Sequence, residues 1–211
     1  MNFIDSIINE LDIALKTLSN KKSGTERDYP ADSIDKNIDE LSHDEKNLSI
    51  QLMRVNLAGE VAAQALYRGQ AFVCEDTKIQ EHLIEAGEEE TDHLVWCKKR
   101  LDELGGNESI LNPLWYAGSF AIGAIFGKLG KETSLGFVEE TEKQVVVHLD
   151  KHLNKISPKD TKTIKILKTM RADEDTHAKE ANESGSEELQ GTTKKIMEFT
   201  AKVMTSSSAH I

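Results

Sequence analysis

Glu88-Glu89-Glu90-Thr91-Asp92-His93 is echoed further along the chain by Asp173-Glu174-Asp175-Thr176-His177. Each stretch holds one E-x-x-H, and residues three apart on a helix point to the same side, so each Glu and His can converge on one point. A single such pattern is weak in a chain with 37 acidic residues. Counting backwards strengthens it. Glu60 stands 30 residues before Glu90, and Glu142 stands 32 residues before Glu174. An antiparallel helix pair returns to the same height after two arms of about fourteen residues and a short turn. The spacings therefore bring Glu60 beside Glu90 and Glu142 beside Glu174, and the chain reads as two copies of one helix hairpin.

Four carboxylates and two imidazoles from four helices are the donor set of ferritin-like di-iron and di-manganese proteins. Charge explains the set. Four glutamates balance two divalent ions, whereas without cations four clustered carboxylates repel and some must take up protons. Mixed oxygen and nitrogen donors suit iron better than a cysteine-lined site would. The expected architecture is all-α: a ferritin-like four-helix bundle with additional N-terminal, apolar connecting and C-terminal helices.

Composition agrees. Among 211 residues only 3 are Pro and 5% are aromatic, while Ala, Leu, Glu and Lys are plentiful, which favours helix. The length fits a single ferritin-like domain over residues 1–211. A net charge of −11 makes nucleic acid a poor partner. Cys74 and Cys97 form neither a disulfide framework nor a CxxC knuckle and read as small buried hydrophobes. Asp5, Glu10 and Asp12 do not fit a secretory or mitochondrial leader.

Residues 3–19 carry Ile4, Ile7, Ile8, Leu11, Leu15 and Leu18 as an amphipathic stripe. The polar stretch 20–41 reads as a connection. Ser42-His43-Asp44-Glu45 fits a capping box that starts a helix running to about Cys74. A second begins near Asp76 and stops at Gly105-Gly106. A third runs from Lys131 to Ile156, Ser157-Pro158 starts a fourth that ends near Ser184-Gly185-Ser186, and a last covers about 188–204. Between the hairpins lies an uncharged run, Ser109 to Gly127, broken by Asn112-Pro113. Its continuous part, Leu114 to Gly127, reaches only about 21 Å, short of the roughly 30 Å hydrocarbon core.

Other candidates are sorted by rotation about the helix. Glu88 and Glu89 lie about 200° and 100° from Glu90 and are expected to face water. Glu139 shares a face with Glu142, but its spacing to Glu174 is longer, so Glu142 is preferred. Asp173 and Asp175 could each orient a ligand imidazole or simply face solvent. Tyr67, two turns after Glu60, faces the same way as a core or pocket residue. His43, His82, His148, His152 and His210 lack matched partners and read as surface or structural.

Arg54-Val55-Asn56-Leu57-Ala58-Gly59-Glu60 with Ala65-Leu66-Tyr67-Arg68-Gly69-Gln70 resembles the first-ligand block of the demethoxyubiquinone hydroxylases, di-iron enzymes of ubiquinone biosynthesis. So do Glu88 to Trp96, Leu111-Asn112-Pro113-Leu114-Trp115-Tyr116, Ser134 to Val138 and Met170 to Glu174. The closing Ala201-Lys202-Val203-Met204-Thr205 is similar to the longer bacterial form, and the pattern departs at Leu57, where the family usually has His. The resemblance implies a di-iron monooxygenase that hydroxylates the ring of a polyprenyl demethoxyubiquinol with dioxygen. It implies two iron ions as cofactor, held by Glu60, Glu90, His93, Glu142, Glu174 and His177, which carry catalysis through the metal. Electrons must come from an outside donor, since no G-x-G-x-x-G is present to bind a dinucleotide, and other quinone-biosynthesis proteins are expected partners.

A bilayer-dissolved substrate also accounts for the uncharged run. Leaving Leu114, Trp115, Phe120, Ile122, Ile125 and Phe126 in water would forfeit roughly 1.5–3 kcal/mol each. The segment 113–127 is therefore expected to face the membrane, with the protein peripheral on the cytoplasmic side of the inner membrane. Lys194, Lys195 and Lys202 against Glu198 leave +2 on residues 191–211, which suits anionic lipid. Iron storage of the bacterioferritin or rubrerythrin kind uses the same donor set, and a non-catalytic helical scaffold is a third reading. Iron content and quinone turnover separate the three.

Overall fold

A computed structural model describes residues 3–19, 24–25, 27–34 and 41–211 of the protein. All its regular elements are helical: α1 (Phe3–Leu18), a single 3-10 turn (Pro30–Ser33), α2 (His43–Val73), α3 (Thr77–Glu103), α4 (Asn112–Lys128), α5 (Lys131–Leu153), α6 (Thr161–Glu183) and α7 (Gly191–Ser208). Helices α2 and α3 form one antiparallel hairpin and α5 and α6 the other, with α4 crossing between them.

Local signals set most boundaries. Ser42 accepts from Glu45 N and the Glu45 carboxylate accepts from Ser42 N at 2.7 Å, which closes the expected capping box of α2. Asp76 caps α3 through Lys78 N and Ile79 N. Gly105 follows that helix at φ 71°, a left-handed conformation that costs glycine nothing. The start of α6 differs from expectation. Ser157 donates to Glu45 at 2.7 Å and accepts from Lys159 N in the turn ahead of the helix, and Asp160 caps α6 three residues later through Thr163 N. Asp160 wins because it is also fixed from outside: it accepts from Arg100 at 2.8 Å and from Ser49 at 2.6 Å in the buried core. The last helix likewise starts and ends later than the periodicity suggests.

The core lies in two apolar clusters. One gathers Met53, Leu57, Leu94, Cys97, Leu101, Leu149, Ile166, Leu167 and Met170, and the other Tyr67, Ile79, Leu83, Leu135, Val138 and Ala181. In sequence the paired Glu and His positions fall between these groups on each of the four bundle helices, so a charged layer lies between apolar ones.

Helix α4 packs on α2 backbone to backbone. A Cβ on Gly123 would come within 2.2 Å of the Leu66 carbonyl oxygen, and one on Gly69 within 2.1 Å of the Phe120 carbonyl oxygen. Its opposite face is exposed and carries Leu114 and Ile125. Trp115 turns inward, donating to Ser208 at 3.0 Å, and Phe126 stacks on Phe137 with ring centres 4.0 Å apart. Helix α1 is docked by its polar side. Glu10 pairs with Arg68, Thr17 donates to Gln64 at 2.9 Å, and Ile4, Ile8, Leu11 and Leu15 point outward.

Candidate metal centre

Each hairpin delivers what its spacing implied. Glu60 from α2, Glu90 and His93 from α3, Glu142 from α5, and Glu174 and His177 from α6 are all at most 5% exposed. Their donor atoms form two overlapping groups, Glu60–Glu90–His93–Glu174 and Glu90–Glu142–Glu174–His177, each within 4.8 Å. Glu90 and Glu174 belong to both. Each group thus has one His and one Glu of its own and shares two carboxylates with the other, so the set could hold two cations.

The contacts around the imidazoles fix their orientation. His93 Nδ1 lies 3.1 Å from Glu90 and 3.1 Å from Glu174, and His177 Nδ1 lies 3.2 Å from Glu90 and 3.4 Å from Glu174. Both rings therefore aim Nδ1 inward. Both also aim Nε2 outward at a carboxylate, His93 at Asp173 (3.0 Å) and His177 at Glu89 (2.8 Å). An outer carboxylate of this kind fixes the tautomer and makes the inner nitrogen a better metal donor.

Left to themselves, these side chains share protons. Burial pushes the Glu60 and Glu142 carboxyls well above the usual carboxylate range, and neighbouring carboxylates add to it. Glu90, although equally buried, is held below that range by His93 and His177. Burial works against a charged imidazole, yet Glu90 and Glu174 outweigh it: His93 is raised well above its ordinary value and His177 is pushed up to about 12. Glu90 Oε1, Glu174 Oε2 and His177 Nδ1 are buried and face one another across 3.2 and 3.4 Å without a well-directed hydrogen bond. Oxygen and nitrogen lone pairs crowded this way in a buried cluster are what a cation would take up. The residues fit a two-metal site.

The chain matches the family model described as ubiquinone biosynthesis protein COQ7 over residues 47–208. It is 49% identical to the 3-demethoxyubiquinol 3-hydroxylase of Legionella pneumophila (strain Paris), covering 100% of this chain and 98% of the relative. The protein of that name from Nitrosococcus oceani is 48% identical, over 96% of this chain and 94% of its own. The chain belongs to the COQ7 family. Its fold is ferritin-like: the dodecameric thioferritin of Bacteroides fragilis, a bacterioferritin-related protein, matches with a TM-score of 0.51 over 73% of this chain and 89% of its own, at 19% identity.

The remaining candidates of this COQ7-family chain sort by contact. Glu139 turns away from the centre, bonding Lys143, Ser186 and Asn182. Asp175 pairs with Lys179 at the surface. Tyr67 does line the site: its hydroxyl donates to Glu142 at 2.7 Å, and burial together with that carboxylate raises its own pKa. His148 and His152 lie with ring centres 4.0 Å apart, tilted at 57°, and His148 is bonded to Asn56 at 3.3 Å, so neither is among the clustered donors. Glu89 corrects the rotation argument. It is half exposed, as its angle implies, yet reaches across to His177 of the other hairpin. Only the distance between α3 and α6 reveals that contact, and one helix's periodicity does not contain it.

Proposed function

We propose that this chain hydroxylates the ring of a polyprenyl demethoxyubiquinol, as a 3-demethoxyubiquinol 3-hydroxylase, at a centre of two irons held by Glu60, Glu90, His93, Glu142, Glu174 and His177. The observation that carries the metal assignment is the pair of donor groups sharing Glu90 and Glu174. Four carboxylates offset the four positive charges of two ferrous ions, so the loaded site is neutral in a low-dielectric layer. Iron bound there supplies the activation of dioxygen that the hydroxylation needs.

The protein's own part is geometric and electrostatic. Asp173 and Glu89 hold the two imidazoles with Nδ1 inward, and the Tyr67 hydroxyl holds Glu142 by one oxygen. The apolar clusters on either side keep water from the layer. The apolar approach runs between α2 and α5, where Ala63, Leu66, Phe137 and Val138 border Tyr67 and Glu142 around a cavity of only about 10 Å³. A quinol ring needs these helices to part, and α4, which rests on Leu66, lies beside that entrance.

The same reading makes the protein peripheral to the inner membrane on its cytoplasmic side. Support comes from apolar side chains left exposed on three helices: Leu114 and Ile125 on α4, Ile8 and Leu11 on α1, Ile196 and Phe199 on α7. Among the described residues no helix is long and apolar enough to cross a membrane. An outside electron donor and other quinone-biosynthesis proteins remain part of the proposal.

The test is conversion of a demethoxyubiquinone by iron-loaded protein with a reductant under labelled dioxygen. One labelled oxygen atom should enter the ring of each product molecule. Label arriving from water, or a quinone returned unchanged, sinks the assignment.

A further inference from the structure

The two imidazoles of the centre are matched inside and unmatched outside. Asp173, which accepts from His93 Nε2, is itself gripped: the same Oδ2 accepts from Arg27 Nη2 at 2.8 Å. The Arg27 guanidinium also lies 4.8 Å from the centre of the Trp96 ring, and that ring packs against His93 at 5.4 Å. Arg27 therefore touches both groups that border His93 on its outer side. It belongs to the polar stretch ahead of α2, outside the residues matched by the family model.

That stretch is tied down at its start as well. Thr25 donates its backbone N–H to the buried Asp92 carboxylate at 2.8 Å and its hydroxyl to the other oxygen. Gly24 permits the approach, since a Cβ there would come within 1.9 Å of Asp92 Oδ1. Further along, Tyr29 is buried with Lys99 over its ring at 3.9 Å. On the other side nothing comparable stands among the described residues. Glu89 bonds His177 but, among the described residues, no lysine or arginine pairs with it. It lines a solvent-facing cleft of about 420 Å³ together with His82, Glu85, Glu180 and His177 itself.

We propose that Arg27 is a positioning residue for the His93 half of the metal centre, holding Asp173 and through it the His93 imidazole, so that the metal on the His93 side leaves more slowly than the one on the His177 side. A guanidinium fixes a carboxylate in direction as well as charge, and an outer carboxylate fixed in direction keeps a ligand imidazole aligned. Glu89, half exposed beside the cleft and held by no cation among the described residues, restrains His177 less firmly than Asp173 restrains His93. The inference rests on the ligand assignment proposed above.

The experiment is release of iron from the reduced, fully loaded chain to a ferrous chelator, followed by absorbance, with Mössbauer spectra of the loaded protein. Wild type should hold two irons and lose them in two phases of one iron each. Arg27→Gln should accelerate the slow phase about 10- to 100-fold, the range typical for loss of an outer partner, leave the fast phase unchanged and alter one of two iron signals. Arg27→Lys, which keeps the charge but not the planar fork, should restore only part of the slow phase. Gly24→Val, which pushes the stretch off Asp92 without touching Arg27, should shift it in the same direction and covers the case in which Arg27→Gln fails to fold. Lys179→Gln, a surface charge removed elsewhere on α6, should change nothing. Single-phase release by wild type, an unchanged slow phase in Arg27→Gln, or equal acceleration of both phases each overturns the inference while leaving the two-iron reading intact. Wild type that binds no iron overturns the ligand assignment and this inference with it.

Discussion

Glu139 and Glu142 lie three residues apart on α5 and have opposite roles. Glu142 is buried among the other donors, while Glu139 is tied to Lys143 on its own helix and to Asn182 and Ser186 at the end of α6. Glu142→Gln should therefore drop iron toward about one per chain, because one metal loses its only unshared carboxylate. Glu139→Gln should keep two irons and cost stability alone, on the order of 1–2 kcal/mol for weakened charge-assisted bonds, read as a lower melting temperature. Metal analysis of the two variants decides it, and the reverse pattern would show that the hairpin spacing misassigned the ligand. At this scale the sequence was informative where chemistry repeats. Two copies of one motif pointed to six side chains that the structure brings together, but the outer partners are not repeats of anything: Glu89 and Arg27 reach their targets from other elements, and nothing near them in the chain marks the contact.

Helix α4 shows what periodicity can and cannot deliver. Its lack of charge was plain, and Asn112-Pro113 was expected to keep it short of a span; the helix begins at Asn112 with Pro at its first turn. Which of its apolar residues face outward was not legible, because nearly every position is apolar and the stripe has no polar side to define it. The close approach of Gly69 and Gly123 to the facing backbones sets the orientation, burying Tyr116, turning Trp115 and Phe126 inward and leaving Leu114 and Ile125 out. Helix α1 reverses the usual relation, since its stripe was legible but faces away from the bundle, which Glu10 and Thr17 grip from the polar side. The membrane proposal therefore predicts that Leu114→Asp with Ile125→Asp releases the protein from vesicles while two irons and the melting temperature are retained. Co-sedimentation with the vesicles is the measurement. Retention of the double variant on them would remove α4 from the contact. Trp115→Asp and Phe126→Asp are poor probes by comparison, because each also disturbs a packed interface.

For the whole molecule the donor set does not by itself separate hydroxylation from iron storage, since a ferritin-like bundle hosts both chemistries. What differs is where iron can go after the centre. A storage protein must pass oxidised iron onward to a shared interior. Here the centre is sealed above and below by apolar clusters, and its polar opening is the cleft beside His177, which leads to the surface of the same chain. On the proposed reading iron has two places to sit, with Glu90 and Glu174 common to both donor groups. Aerobic titration with ferrous iron should consequently saturate at two per chain, whether or not the chains assemble, and excess iron should stay in solution. The check is iron bound per chain after gel filtration across a range of additions. Binding that climbs well beyond two, with mineral formed and no demand for a quinol, would mean that the bundle passes its iron on, and the hydroxylase reading would give way to storage.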